Sequence, residues 1–147
     1  MEIDKEIFRE MVTFYGEAFH LPPLAAKIYA YLIFDFERKG IAFDEFVEIF
    51  NASKSSVSSS LNLLLNLNII KDFNKIDERK RFFVMNEKYM KIRFEEIIEK
   101  MEREVLILEN LKKFRNTKCE VALQKFETYT DLFKKNITNI KDTLDQL

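Results

Sequence analysis

Gly16, Pro22, Pro23 and Gly40 are all the glycine and proline in this chain of 147 residues. Sandwiches and barrels depend on frequent tight turns built from those residues, so a chain this poor in them is expected to be mostly helical. With 47% hydrophobic and 33% charged residues, it has material for one small domain carrying a helical extension.

Ile3, Ile7, Met11, Phe14 and Ala18 recur at three- and four-residue spacing, which predicts a first helix with one apolar face ending near Phe19 or His20. Pro23 suits the opening turn of a second helix, expected to reach Arg38 with Leu24, Ile28, Tyr31 and Leu32 inward. Lys39-Gly40 is its stop. Ile41-Ala42-Phe43 is long enough for one small strand, and residues 44–50 read as a short third helix that buries Phe46, Val47 and Phe50. Asn51-Ala52 then makes a turn.

Residues 53–67 follow as a helix with two unlike faces. With Ser53 as N-cap, Val57, Leu61, Leu64 and Leu65 point to a core. Lys54, Ser55, Ser58, Ser59 and Asn62 then point outward, and Ser56 stands beside them in the serine run. Short hydrogen-bonding side chains suit a surface that slides into a groove and meets base edges and phosphates. Asn68 stands where a left-handed residue is needed to leave the helix. Residues 69–73 and 81–85 are β-prone runs around a polar tip, which predicts a hairpin with a basic edge formed by Lys75, Arg79, Lys80 and Arg81. Arg81 has a second option, pairing with an acidic neighbour at the strand start.

The formal charge of the whole chain is −1, but it is unevenly spread: residues 1–53 sum to −5, residues 54–81 to +3 and residues 82–147 to +1. The positive surplus falls on the serine-rich helix and the hairpin, where a nucleic-acid footprint would lie, though +3 is small for one. Helix, short strand, helix, turn, helix, hairpin is the order of a winged helix-turn-helix, giving a mainly α fold with a small β wing (α+β). The recognition helix would be about 53–67 and the wing about 69–85, within a DNA-binding domain of residues 1–87.

Beyond Asn86 the pattern turns to long helices. Met90, Phe94, Ile97, Met101, Val105, Leu108 and Leu111 form one stripe, and Thr117 with Glu120 reads as a capping box that restarts the chain. Cys119, Ala122, Phe126, Tyr129, Phe133, Ile137, Ile140, Leu144 and Leu147 keep three-four spacing to the end, a seam of the coiled-coil kind. Two such helices beside a small domain have little of their own chain to cover. Residues 88–147 are therefore expected to build a homodimer, with the first helix as a further contributor.

Chemistry other than binding finds little support. One cysteine, Cys119, excludes an intrachain disulfide framework, and its place on the apolar seam predicts a buried structural role. His20 is the sole histidine and has no partner for a metal, so it reads as a helix-end residue. There is no Ser-His-Asp set, no glycine-rich phosphate loop and no Cys-His pair, so no enzyme and no cofactor are expected. Phe14, Tyr15, Tyr29 and Phe36 fit core filling better than a ligand pocket. No window approaches a membrane span and the N-terminus is charged, which predicts a cytoplasmic protein with no membrane association.

Three motifs together resemble the MarR superfamily of bacterial and archaeal transcription regulators, and most of all its GbsR-type branch. They are Leu21-Pro22-Pro23-Leu24-Ala25-Ala26-Lys27-Ile28-Tyr29-Ala30-Tyr31-Leu32, then Ser53-Lys54-Ser55-Ser56-Val57-Ser58, then Asp77-Glu78-Arg79-Lys80-Arg81. The resemblance covers residues 1–90; beyond them only the two-helix dimerisation layout is similar. It implies a dimer whose paired recognition helices enter successive major grooves of a pseudo-palindromic operator on double-stranded DNA, with the wings on adjacent minor grooves or phosphates. It also implies repression governed by a small effector. Many relatives carry Arg or Lys where this chain has Ser59 and Asn62, so binding should be weaker here, and Asn62 is placed for a bidentate contact to adenine. The alternative is a winged-helix module that binds protein partners and has lost DNA affinity.

Overall fold

Ala25, Ile28, Ala30 and Leu32 are wholly buried and Ala26 and Tyr29 nearly so, which leaves α2 (Pro23–Ile33) almost no solvent-facing side. An apolar helix of this kind must be covered all round. Helix α1 (Lys5–Ala18), helix α4 (Lys54–Asn66) and strand β3 (Arg81–Met85) pack against it. The computed structural model describes residues 1–116 and 118–147. Along the chain it divides into two compact units, Met1–Tyr89 and Met90–Leu147.

Helix α1 starts where Asp4 accepts hydrogen bonds from the N–H groups of Glu6 and Ile7, both at 2.9 Å. Its inward side is not the expected one. Ile3, Phe8, Val12, Tyr15 and Phe19 pack on the core, whereas Ile7 and Phe14 lie exposed. Two apolar stripes coexist on this helix, and the more aromatic one docks, with Tyr15 edge-on to Tyr29 at 4.9 Å. Phe14 thus fills no core. Neither does Phe36, because α2 ends at Ile33 rather than Arg38. The carboxylate of Asp35 ends the run by accepting the N–H groups of Lys39 and Gly40 at 3.1 and 2.9 Å. Gly40 has φ of +84°, and a Cβ there would lie 2.7 Å from the Phe73 ring, so only glycine fits.

The remaining elements of the unit are β1 (Ile41–Ala42), α3 (Phe43–Phe50), β2 (Ile70–Asn74) and β3. The strands form one antiparallel sheet in the order β1-β3-β2, with Ile41 opposite Phe83 and Ile70 opposite Met85. Phe46 of α3 meets Phe83 of the sheet at 6.1 Å, and both are fully enclosed. The hydroxyl of Tyr31 donates to Glu45 at 3.4 Å. Burial first, and then the Glu45 charge, push the Tyr31 phenol up to about 12.

Helices in a chain so short of glycine still need left-handed residues to end. His20, Asn51 and Asn68 supply them, with φ of 52°, 47° and 58°. In each case the next N–H reaches back to a carbonyl five residues earlier: Leu21 to Gly16, Ala52 to Val47, Ile69 to Leu64. That is the Schellman closure, completed here by residues that carry a side chain. Leu21 and Ile69, the residues after the turn, are buried.

In the second unit, α5 (Tyr89–Arg115) and α6 (Glu120–Leu144) are tied antiparallel by Glu102–Lys141 at 2.5 Å, Glu109–Lys134 at 2.8 Å and Lys112–Glu127 at 3.6 Å. Each helix keeps most of its expected seam and departs from it by one residue at one place, Ile98 beside Ile97 on α5 and Thr130 beside Tyr129 on α6. On α5, Ile98 and Val105 are buried while Met90 and Leu111 are exposed, and Ile97 and Met101 are half-buried. On α6 the lowest exposures fall at Thr130 and Leu144, with Phe126, Phe133, Ile137 and Ile140 half-buried and Tyr129 exposed. Thr130 takes the seam position because its hydroxyl donates within the helix, to the carbonyls of Phe126 and Glu127 at 3.2 and 3.1 Å. The helices therefore cover each other in small part, and among the described residues of this unit Ile98, Val105, Thr130 and Leu144 alone are buried. The N-cap of α6 is Cys119, which is exposed rather than buried, so Glu120 is the first helical residue and not the third of a capping box. Thr117 lies outside the described residues.

Two outcomes follow from these elements. Asn68→Ala puts an ordinary side chain into the left-handed region and should cost roughly 1–2 kcal/mol in urea unfolding, whereas Asn68→Gly should not lower stability. Since folding raises the Tyr31 pKa, the stabilisation it carries is complete below pH 10 and lost as pH rises through about 12. Absorbance titration at 295 nm should accordingly show a late phenolate step near pH 12 that is missing in Tyr31→Phe.

Candidate nucleic-acid interface

Helix α4 begins with a cap made of its own serines. The Ser53 Oγ accepts the N–H of Ser56 at 3.1 Å and donates to the Ser56 Oγ at 2.8 Å, with Ser55 Oγ 3.3 Å away. Ser53, Ser55 and Ser56 are thus engaged in holding the first turn while remaining exposed. Val57, Leu61 and Leu64 are buried as their spacing requires, and Ser60, at 9% exposure, joins them. The opposite side is a line of exposed polar groups, Ser55, Ser58, Ser59 and Asn62, with Lys54 at the N-terminal end. Asn66 also belongs to this line. Its spacing from Ser55, Ser59 and Asn62 continues the four-three-four pattern, a signal present in the sequence that the apolar periodicity of Leu64 and Leu65 obscured.

The expected hairpin is formed by β2 and β3, with Asn74 opposite Arg81. Its cations are not equivalent. Arg81 pairs with Asp72 across the strands, Nε to Oδ2 at 2.6 Å, and its guanidinium lies 5.2 Å from the centre of the Phe83 ring. It takes the acidic-partner option rather than joining the tip. The Lys75 ammonium sits 4.0 Å over the Phe82 ring, which is itself stacked with Phe73 at 5.8 Å. Arg79 and Lys80 are exposed at the tip and make no hydrogen bond or ion pair among the described residues. Lys71, exposed on β2, is a further cation of the same segment that motif reading passed over.

Beside the polar line of α4 lies an open hollow of about 520 Å³ shared with the start of α2. Among the described residues no cluster of three His, Cys, Asp or Glu side chains is placed to bind a metal, and no helix is long and apolar enough to cross a membrane. His20 is an exposed left-handed residue at the end of α1.

No protein-family model matches this chain, and neither does any curated protein. Solved structures do. One described as a transcriptional regulator is 18% identical, with a TM-score of 0.56 over 96% of this chain and 95% of that one. The S. aureus MepR-DNA complex is 17% identical, with a TM-score of 0.47 over 74% and 89% of the two chains. A MarR/EmrR family transcriptional regulator from Acinetobacter sp. ADP1 is 17% identical, with a TM-score of 0.43 over 86% and 88%. Likeness at this level is likeness of fold: six helices and a three-stranded antiparallel sheet among the described residues, in the winged-helix arrangement of a transcriptional regulator.

Proposed function

We infer that the protein is a dimeric, sequence-specific DNA-binding transcription regulator of the MarR superfamily type, nearest in its motifs to the GbsR-type branch, and that it represses under the control of a small effector. Residues 1–87 would bind DNA and residues 88–147 would dimerise. The observation that carries this reading is the exposed polar line of α4, Ser55, Ser58, Ser59 and Asn62, on a helix that leads straight into a hairpin whose tip presents Arg79 and Lys80 without partners. A solvated surface helix has no need of so uniform a row of small donors and acceptors, whereas base edges in a major groove do. In this role Asn62 meets a base, and Lys54, Lys71, Arg79 and Lys80 meet phosphates. Arg81, held by Asp72, shapes the hairpin.

The dimer reading draws on apolar side chains that the single chain leaves open in the second unit. Leu106, Ile107, Leu111, Phe114, Val121, Tyr129 and Leu132 are all exposed there. A second copy would cover such a surface, and it would use this outer side more than Leu144, which is already buried at 6% exposure.

Binding to a duplex library should weaken steeply as salt rises, and Arg79→Ala should reduce the slope of log affinity against log salt by about 0.9 per copy. If no duplex binds at low salt, the chain is instead a winged-helix module for protein partners. For the dimer, Leu132→Glu alters a side chain 60% exposed, so the fold should survive while light scattering reports a monomer. A well-behaved Leu132→Glu dimer would place the interface elsewhere.

A further inference from the structure

The hollow beside α4 brings the uncapped start of α2 against serines of α4. Pro22 and Leu24, at the start of α2, form one wall, and Ser56, Ser59, Ser60 and Leu63 of α4 form the other. Helix α2 begins without a side-chain cap, because its N-cap residue is Pro22. Among the described residues the N–H groups of Leu24 and Ala25 consequently have no acceptor, Leu24 lining the hollow and Ala25 lying fully buried behind it, and the first intrahelical bond comes only from Ala26 to Pro22 at 3.0 Å. Unpaired N–H groups at a helix start carry the positive end of the helix dipole and favour an oxyanion.

The second observation is Ser60. It is 9% exposed, its hydroxyl makes no hydrogen bond among the described residues, and it lines this hollow. A serine in a helix interior usually returns its proton to a carbonyl one turn back, as Thr128, Thr138 and Thr143 do here. Ser60 leaves its donor unused. Ser59 has none either, and Ser56, whose oxygen accepts from Ser53, keeps its own proton to give. At 100° per residue, Ser56, Ser60 and Leu63 lie on the flank next to the Ser55, Ser59 and Asn62 line. A helix that reads base edges has a phosphate backbone passing along that flank.

We propose that this hollow is a neutral clamp for one phosphate oxyanion of the DNA backbone, held by the Leu24 N–H at the start of α2 and the hydroxyls of Ser56, Ser59 and Ser60. The assignment rests on the DNA-binding reading above. It adds a contact of a different physical kind from the hairpin. A phosphate held by Lys or Arg displaces counterions and steepens the salt dependence, whereas one held by hydroxyl and N–H donors contributes affinity without adding to that slope.

The test measures fluorescence anisotropy of a labelled duplex across a salt series, with the amides of Leu24 and Ala25 followed by NMR during titration with duplex and, separately, with inorganic phosphate. Ser60→Ala should bind about tenfold more weakly at every salt concentration with an unchanged slope, while Arg79→Ala changes the slope. Ser59→Ala, which touches no packing, should weaken binding to every duplex of the library alike, whereas loss of a base contact at Ser59 would change sequence preference, so a folding defect at Ser60 would not decide the matter. Duplex should shift the Leu24 and Ala25 amides. If the unaltered chain binds duplex but both serine variants match it, the clamp is wrong and the DNA-binding reading stands. If the amides answer to inorganic phosphate and not to duplex, the hollow is a site for the free ion and the backbone assignment falls. Failure of the unaltered chain to bind any duplex overturns both.

Discussion

One buried amide joins the parts of the first unit that must keep a fixed relation. Asn86 is 8% exposed, and its Nδ2 donates to the carbonyl of Asn68 at 2.6 Å. Its own N–H donates to the carbonyl of Ile69, and its Oδ1 accepts the N–H of Lys88 at 3.1 Å. The end of α4, the root of β2 and the approach to α5 therefore meet at a single side chain. A buried amide is costly unless all of its groups are satisfied, and one that is satisfied permits one arrangement of its partners. The left-handed turn at Asn68 is what turns its carbonyl toward Asn86, so the helix closure and the strand junction stand or fall together.

The same economy governs the hairpin. Phe73 and Phe82 stack over Gly40, the Lys75 ammonium covers Phe82, and Arg81 is fixed between Asp72 and Phe83. Two of the four cations expected at its edge hold the strands in place, and two remain at the tip. A small positive surplus on residues 54–81 is thus divided between stiffening a two-stranded ribbon, which is marginal on its own, and presenting charge. Under the proposed role, strands held by these contacts would offset the modest charge, because a ribbon already ordered loses less freedom on binding.

Most of this was written plainly in the residues. Ser53 as N-cap, Asn51 and Asn68 as turns, Pro23 as a helix start and the two β-prone runs each follow from local backbone preference, and each is where spacing placed it. Periodicity is weaker where two apolar stripes share a helix, as on α1, because Ile7-Met11-Phe14 and Phe8-Val12-Tyr15 have the same spacing and only tertiary packing chooses between them. It also fails at Thr130, since ranking by hydrophobicity prefers Tyr129 and ignores a hydroxyl satisfied within its own helix. The candidate site is legible in outline only. The polar line of α4 and the basic tip can be read from residue types, but the partners of Arg81 and Lys75 and the unused proton of Ser60 depend on neighbours far along the chain.

A reading face made of serines also differs from one made of arginines in what it gives up on binding. A long cation that becomes fixed surrenders about 1.5–2 kcal/mol of rotamer freedom, whereas a hydroxyl one bond from the helix has little to lose. Under the proposed role, association through α4 would draw less on electrostatic pull and suffer a smaller entropic penalty than in a cation-rich relative. Its discrimination between sequences would then hold up better as temperature rises, because a smaller entropic loss leaves the free energy of binding less dependent on temperature.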